Sequence, residues 1–171
     1  MKTARIYTKF TAELSEKLLI KLGPLKTSTT TSYIFATGFG CGYIPKIPGT
    51  VGSLLAVILV WFFPQDSIML FSISIILIVI GIPTSTIVER YEGKDSGKIV
   101  IDEIAGQILT FIFIPLTGIN LILGFVLFRI FDIWKPFPIN QSQKLAKGWG
   151  IMVDDVLAAV YANIILQLLN L

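Results

Sequence analysis

The sequence predicts an all-α integral membrane protein, a helical bundle with short or re-entrant helical hairpins. Three observations predict it. Of the 171 residues 54% are apolar and only 15% charged, with a mean hydropathy of +0.79, whereas a soluble domain carries about 25% charged residues. Four uncharged runs, Ile47–Gln65, Ser67–Val88, Ile104–Phe128 and Val156–Leu171, take up 82 residues, so all 25 charged side chains fall in the other 89. All 14 Lys and Arg lie in residues 1–46, 89–103 or 129–155. If 51–88 and 104–128 are both hairpins, every base faces one side of the bilayer, which the positive-inside rule makes the cytoplasm.

The length fits a single domain over residues 1–171. Residues 1–32 are a basic N-terminal segment. Thr11 or Ser15 caps a short helix there, ended by Gly23-Pro24, and Lys9, Lys17 and Lys21 suit either an anionic lipid surface or plain solvent. Residues 37–53 hold five glycines and two prolines, which no regular helix survives, so this is a loop feeding the next helix. Thr50 or Ser53 then stands at that helix's N-terminus. From Val51 only 13 residues precede Pro64, ~20 Å of helix against a ~30 Å hydrocarbon core. A turn follows at 64–66. Ser67–Val88 is long enough to span. Ile104–Phe128 is broken at Pro115-Leu116-Thr117-Gly118, which makes it a hairpin turning at 115–120 whose short halves do not cross fully. Val156–Leu171, with Asn163 and Gln167, is marginal.

Several chemistries are excluded by residue type. One cysteine, Cys41, permits neither a disulfide framework nor a CxxC zinc site. Histidine is absent, which removes imidazole bases, ligands and phosphohistidine intermediates. Ile47 stands six residues after Cys41, where a Cys-x5-Arg thiolate phosphatase needs arginine, and no DxDxT motif is present. No Lys/Arg run with interleaved aromatics suggests nucleic acid.

The acids are unevenly spread. Eight of the 11 lie in segments 89–103 and 129–155. Asp102-Glu103 and Asp154-Asp155 each stand at the mouth of an apolar run. Helix capping accounts for such a position, and so does a site for a hard divalent cation such as Mg²⁺. Arg129, Asp132 and Lys135 recur every three residues and share a helix face that Pro136 ends. They form either a local ion-pair ladder or a phosphate clamp beside the acids. Pro48-Gly49-Thr50-Val51-Gly52-Ser53 is either a tight turn or a helix start offering N–H groups and hydroxyls to an anion. Together these groups suit metal-assisted hydrolysis of a phosphate ester on a lipid headgroup.

Four blocks carry a resemblance. They are Gly38-Phe39-Gly40 through Ser53; Lys94-Asp95-Ser96-Gly97-Lys98-Ile99-Val100-Ile101-Asp102-Glu103 with Gly106; Phe128 through Pro136 with Pro138-Ile139; and Gly148-Trp149-Gly150-Ile151-Met152-Val153-Asp154-Asp155 with Ala158. In this order and spacing, over residues 38–162, the chain resembles the phosphatidylglycerophosphatase A family of bacterial membrane phosphatases. It departs from the family's pattern at Ser96, Lys147 and Ala159.

The resemblance implies Mg²⁺-dependent removal of the terminal phosphate of phosphatidylglycerophosphate. It implies a multi-pass protein of the bacterial inner membrane with its site at the cytoplasmic face. The match points to Asp102, Glu103, Asp132, Asp154 and Asp155 as the catalytic, metal-holding acids. Arg129 and Lys135 are the implied phosphate contacts, with Thr50 and Ser53 beside them. The implied partners are the phospholipid substrate and the membrane; oligomeric state stays open, a homo-oligomer included. The competing reading is a non-enzymatic membrane protein that binds cations or anionic lipid headgroups. A phosphatidyltransferase is a third, but its DxxDGxxAR stretch is absent.

Overall fold

In a computed structural model, residues 27–62, 66–94 and 96–171 are described, and every regular element among them is helical. Residues 31–171 form one unit. The expected helix near Thr11 and Ser15, the turn at 64–65 and Asp95 lie outside the described residues. The elements are α1 (Thr27–Ala36), a 3-10 turn (Cys41–Tyr43), α2 (Pro48–Phe62), α3 (Ser67–Glu92), α4 (Ile101–Leu109), α5 (Gly118–Trp134), α6 (Ile139–Ser142) and α7 (Gly148–Leu169).

Two helices are long and apolar enough to cross a bilayer: α3, with 26 residues, and α7, with 22. Only 22% of the most apolar stretch of α3 is buried within the protein, so α3 is not the core helix of a soluble fold. Ile68, Phe71, Ile75, Ile76 and Val79 stand exposed along it. An exposed apolar surface of this kind marks contact with lipid or with another protein. Pro83 sits inside α3 and removes one helical N–H. The Thr84 hydroxyl donates to the carbonyls of Ile80 and Gly81 nearby.

The short helix α4 occupies the centre, packed on α2, α3 and α7. Its nine residues span only ~14 Å, and five of them bury apolar or small side chains: Ile101, Ile104, Ala105, Gly106 and Ile108. A Cβ on Gly106 would lie 2.8 Å from the ring of the fully buried Phe128 and 2.9 Å from the Asp155 carbonyl. Glycine therefore lets α4 meet α5 and α7 at closest approach. The antiparallel contact of α3 with α7 begins where the Gly148 N–H donates to Thr86 Oγ1 at 3.0 Å.

The structure starts α2 at Pro48, so residues 48–53 of the stretch read as a loop are helical, and it differs from the sequence reading in two further places. The break in the third apolar run opens at Thr110, five residues before Pro115, and α5 starts at Gly118 with Thr117 as its N-cap. The cause is Asn163 on α7, whose amide donates to the carbonyls of Thr110 (2.9 Å) and Ile112 (2.8 Å). Those N–H donors give the irregular backbone's carbonyls the partners that water would otherwise supply. Asn120 likewise donates to the Pro115 carbonyl at 2.8 Å and pairs with Asn170. The second difference is that α7 begins at Gly148, eight residues before the uncharged run at Val156. Asp154 and Asp155 consequently lie within the helix rather than before it, ~10 Å from its start.

Gly106→Ala is expected to lower stability by about 1–3 kcal/mol through overpacking. Phe128→Ala is expected to lower it by about 3–5 kcal/mol through a cavity. Reversible unfolding of the detergent-solubilised protein measures both.

Candidate active site

The stretch over 96–100 delivers α4 with its acids foremost. The Lys98 ammonium pairs with Glu92 at 2.7 Å and the Val100 N–H donates to the Ala36 carbonyl at 2.8 Å, which fixes the entry to α4. Asp102 and Glu103 then fall in its first turn. Val100, at the N-cap of α4, makes no side-chain cap bond, and both acids stand in the first turn, where the helix dipole favours carboxylates. From α7, Asp155 faces the same point. One oxygen from each of Asp102, Glu103 and Asp155 can be chosen so that all three lie within 4.8 Å of one another.

These acids are barely solvated. Asp102 is 9% exposed and Asp155 2%. Asp102 Oδ1, Glu103 Oε2 and Asp155 Oδ2 are buried with no hydrogen-bond partner. Buried polar atoms are rarely left so, and three unsatisfied carboxylate oxygens at one point are a donor set for a hard cation. The cluster can therefore hold a metal ion. Burial raises the Asp102 carboxyl to about 6, and the charges of Asp154 and Asp132 push the same way. Burial, followed by the Asp102 charge, raises Glu103 well above its ordinary range.

A chain of ion pairs borders the cluster. On α5, Arg129 Nη1 binds Asp132 Oδ2, one helical turn apart. Lys135 Nζ lies 3.7 Å from Asp132 Oδ1 and 2.5 Å from Asp154 Oδ2. Burial works against the Lys135 ammonium, but Asp154 outweighs it and holds the group above the usual lysine range. Asp132 thus sits between two cations, 7% exposed, with its charge also acting on Asp102 and Glu103. Removing one member of such a buried pair costs about 3–5 kcal/mol.

The start of α2 closes the other side. A Cβ on Gly49 would fall 2.1 Å from Glu103 Oε1 and 3.3 Å from Arg129 Nη1, so only glycine admits both groups. Ser53 is fully buried; its hydroxyl donates to the Gly49 carbonyl at 3.0 Å and accepts from Arg129 at 3.5 Å. It braces Arg129 and does not face open space. Thr50 is half-buried in the first turn of α2 and makes no hydrogen bond to the acids or Arg129 among the described residues.

Two further residues join the site without having been singled out in the sequence. Gln143 donates to Asp154 Oδ2 at 3.0 Å. It comes from the irregular stretch after α6, and nothing in the sequence marks it. Gln107 is fully buried, one helical turn beyond Glu103, and neither amide atom has a partner. Its signal was legible, as the one amide in the first half of an uncharged apolar run.

Residues 34–170 match the model of the family described as Phosphatidylglycerophosphatase A. The chain belongs to the phosphatidylglycerophosphatase A family. Two relatives carry that name. One, from Haemophilus influenzae, is 41% identical over 139 residues, covering 78% of this chain and 85% of that protein. The other, from Escherichia coli, is 38% identical over 145 residues, covering 81% and 83%. A Bacteroides thetaiotaomicron protein provisionally named a phosphatidylinositol-3-phosphatase is 33% identical over 156 residues, covering 83% and 95%. No solved structure matches the chain at a significant level. For this phosphatidylglycerophosphatase A family member, the match spans all of α2 through α7 and so every residue of the cluster.

A divalent cation that fills the cluster is expected to raise the thermal midpoint of the EDTA-treated protein. Saturation at a hundred times Kd corresponds to about 2.7 kcal/mol. The shift is expected to vanish in Asp102→Asn with Asp155→Asn, as read by differential scanning fluorimetry.

Proposed function

We propose that the protein is a Mg²⁺-dependent lipid phosphatase. It hydrolyses the terminal phosphomonoester of phosphatidylglycerophosphate to phosphatidylglycerol and inorganic phosphate. The observation that carries this is the meeting of three carboxylates, each with a buried oxygen that lacks a hydrogen-bond partner, with a paired Arg129 and Lys135, in a chain of this family. A non-enzymatic cation path would place acids along a span. Here they gather within about two turns of one end of the helices and none lies farther along a span, beside bases that suit phosphate.

Asp102, Glu103 and Asp155 would hold Mg²⁺, with Asp132 and Asp154 completing the acidic centre. When bound, the ion would polarise the phosphoryl oxygens and favour a deprotonated water. Arg129 and Lys135 orient the phosphomonoester and offset its charge. Asp132 keeps both cations at fixed spacing, Ser53 braces Arg129, and Thr50 flanks the phosphate from the first turn of α2. In the net reaction a water oxygen bonds to phosphorus, the ester P–O bond breaks, and the glycerol oxygen leaves with a proton. Burial of the acids excludes bulk water and strengthens each of these interactions.

Arg90, Lys94, Lys144 and Lys147 stand at the same end of α3 and α7 as the acids. By the charge rule that end faces the cytoplasm, in a multi-pass protein of the bacterial inner membrane.

Purified protein in detergent is expected to release phosphate from phosphatidylglycerophosphate with Mg²⁺ and not after EDTA treatment. Asp102→Asn, Asp132→Asn and Asp154→Asn are each expected to lower turnover by more than about a hundredfold. Release without Mg²⁺, or full activity in all three variants, would refute the assignment. Phosphatidylinositol 3-phosphate belongs in the same assay because of the Bacteroides relative; a preference for it would replace the glycerol headgroup with inositol.

A further inference from the structure

A cavity of about 260 Å³ adjoins the acidic centre at Asp154, and a second of about 430 Å³ adjoins the first. The larger falls within the ~300–1,000 Å³ range of small-ligand sites. They share Glu89, Lys94, Leu145 and Lys147 on their walls, so they form one cleft. It lies between the end of α3 and the loop that leads into α7. Arg90 and Lys144 add two more cations to the larger part. The smaller part is lined by Gln143 and Asp154, the pair that adjoins Lys135. None of Arg90, Lys94, Lys144 and Lys147 is held in an ion pair among the described residues.

Lys147 adds an independent observation. Its backbone lies at φ 60° and ψ −152°, a region that residues with side chains avoid and glycine fills freely. A lysine held there, exposed on the cleft wall, adds charge at a position where the backbone favours glycine.

We propose that this cleft is a subsite for the phosphodiester of the lipid substrate. This rests on the phosphatase reading above. The phosphomonoester lies against Arg129 and Lys135, and the chain of the headgroup passes Asp154 into the cleft. A ligand spanning both places carries two anionic groups joined by a short polyol. A glycerol or an inositol headgroup satisfies that; a lipid with a single phosphate does not. The cleft also sits at the polar ends of the two spanning helices, where a lipid phosphodiester resides. Four cations against Glu89 and the already paired Asp154 leave the cleft with an excess of positive charge to receive it.

The test uses phosphatidylglycerol, which has the diester and no monoester, and inorganic phosphate, which resembles the monoester alone. Full-length detergent-solubilised protein is compared with Lys94→Gln and Lys147→Gly. Each variant is expected to raise the Kd for phosphatidylglycerol about tenfold in a lipid titration against a diacylglycerol control. Each is expected to raise KM for phosphatidylglycerophosphate to a similar extent with kcat changed less than twofold. Inhibition by inorganic phosphate is expected to stay within twofold of the wild type. Lys147→Gly is expected to unfold at the same temperature or higher, because glycine fits this backbone, so a loss of binding is not a loss of fold. An unchanged Kd for phosphatidylglycerol overturns the proposal. So does equal weakening of phosphatidylglycerol and inorganic phosphate, which would make the cleft a general anion funnel. If the wild type releases no phosphate from the lipid, the phosphatase reading fails, and the phosphatidylglycerol titration still decides the cleft.

Discussion

Three carboxylates packed within 4.8 Å, in a place that water hardly reaches, cannot all stay ionised without compensating positive charge. The structure meets this demand from one side only. Arg129 and Lys135 neutralise Asp132 and Asp154. Asp102, Glu103 and Asp155 each keep an oxygen that no group among the described residues satisfies. Much of the architecture serves to hold that imbalance in place. Gly106 lets α4 approach α7 closely enough to bring the acids of both helices together, and Gly49 lets α2 close over Glu103 and Arg129.

The same chain has a second problem, which is irregular backbone beside apolar surface. The segment between α4 and α5 has no helical partners for its carbonyls. Asn163 and Asn120 supply them, and Asn163 is in turn held by Gln167 at 2.7 Å. Amides replace water where water is scarce. This allows α4 to stop after nine residues, so that its charged first turn sits beside the bundle's polar end while its apolar turns pack on α2, α3 and α7.

Much of this could be read from the sequence because charge is confined to a few segments. Long uncharged runs and clustered acids indicate helices and a polar face, and period-three spacing put Arg129, Asp132 and Lys135 on one face, where the structure has them paired. What the sequence concealed arises from tertiary partners. The early end of α4 at Thr110 depends on an asparagine more than 50 positions away, and Pro115 drew attention to the wrong end of the break. The true start of α7 was hidden because Asp154 and Asp155 read as a boundary; packing buries them inside the helix instead. Ser53 read as an anion contact, but it is turned inward onto Gly49 and Arg129. Gln143 and the basic cleft depend on how the loop before α7 folds back against α3, which no local pattern in either segment records.

The antiparallel placement of α3 and α7 carries a consequence for the lipid itself. It brings the C-terminal end of one and the N-terminal end of the other together, so Glu89, Arg90, Lys94, Lys147 and the acidic cluster share one end of the bundle. Asp66, at the start of α3, is the one described charge at the other. Under the proposed function such a catalyst is one-sided. It would draw substrate from a single leaflet and return product to the same leaflet, with no headgroup carried across the hydrocarbon. Any product found in the opposite monolayer must then have been moved there by a separate transport step.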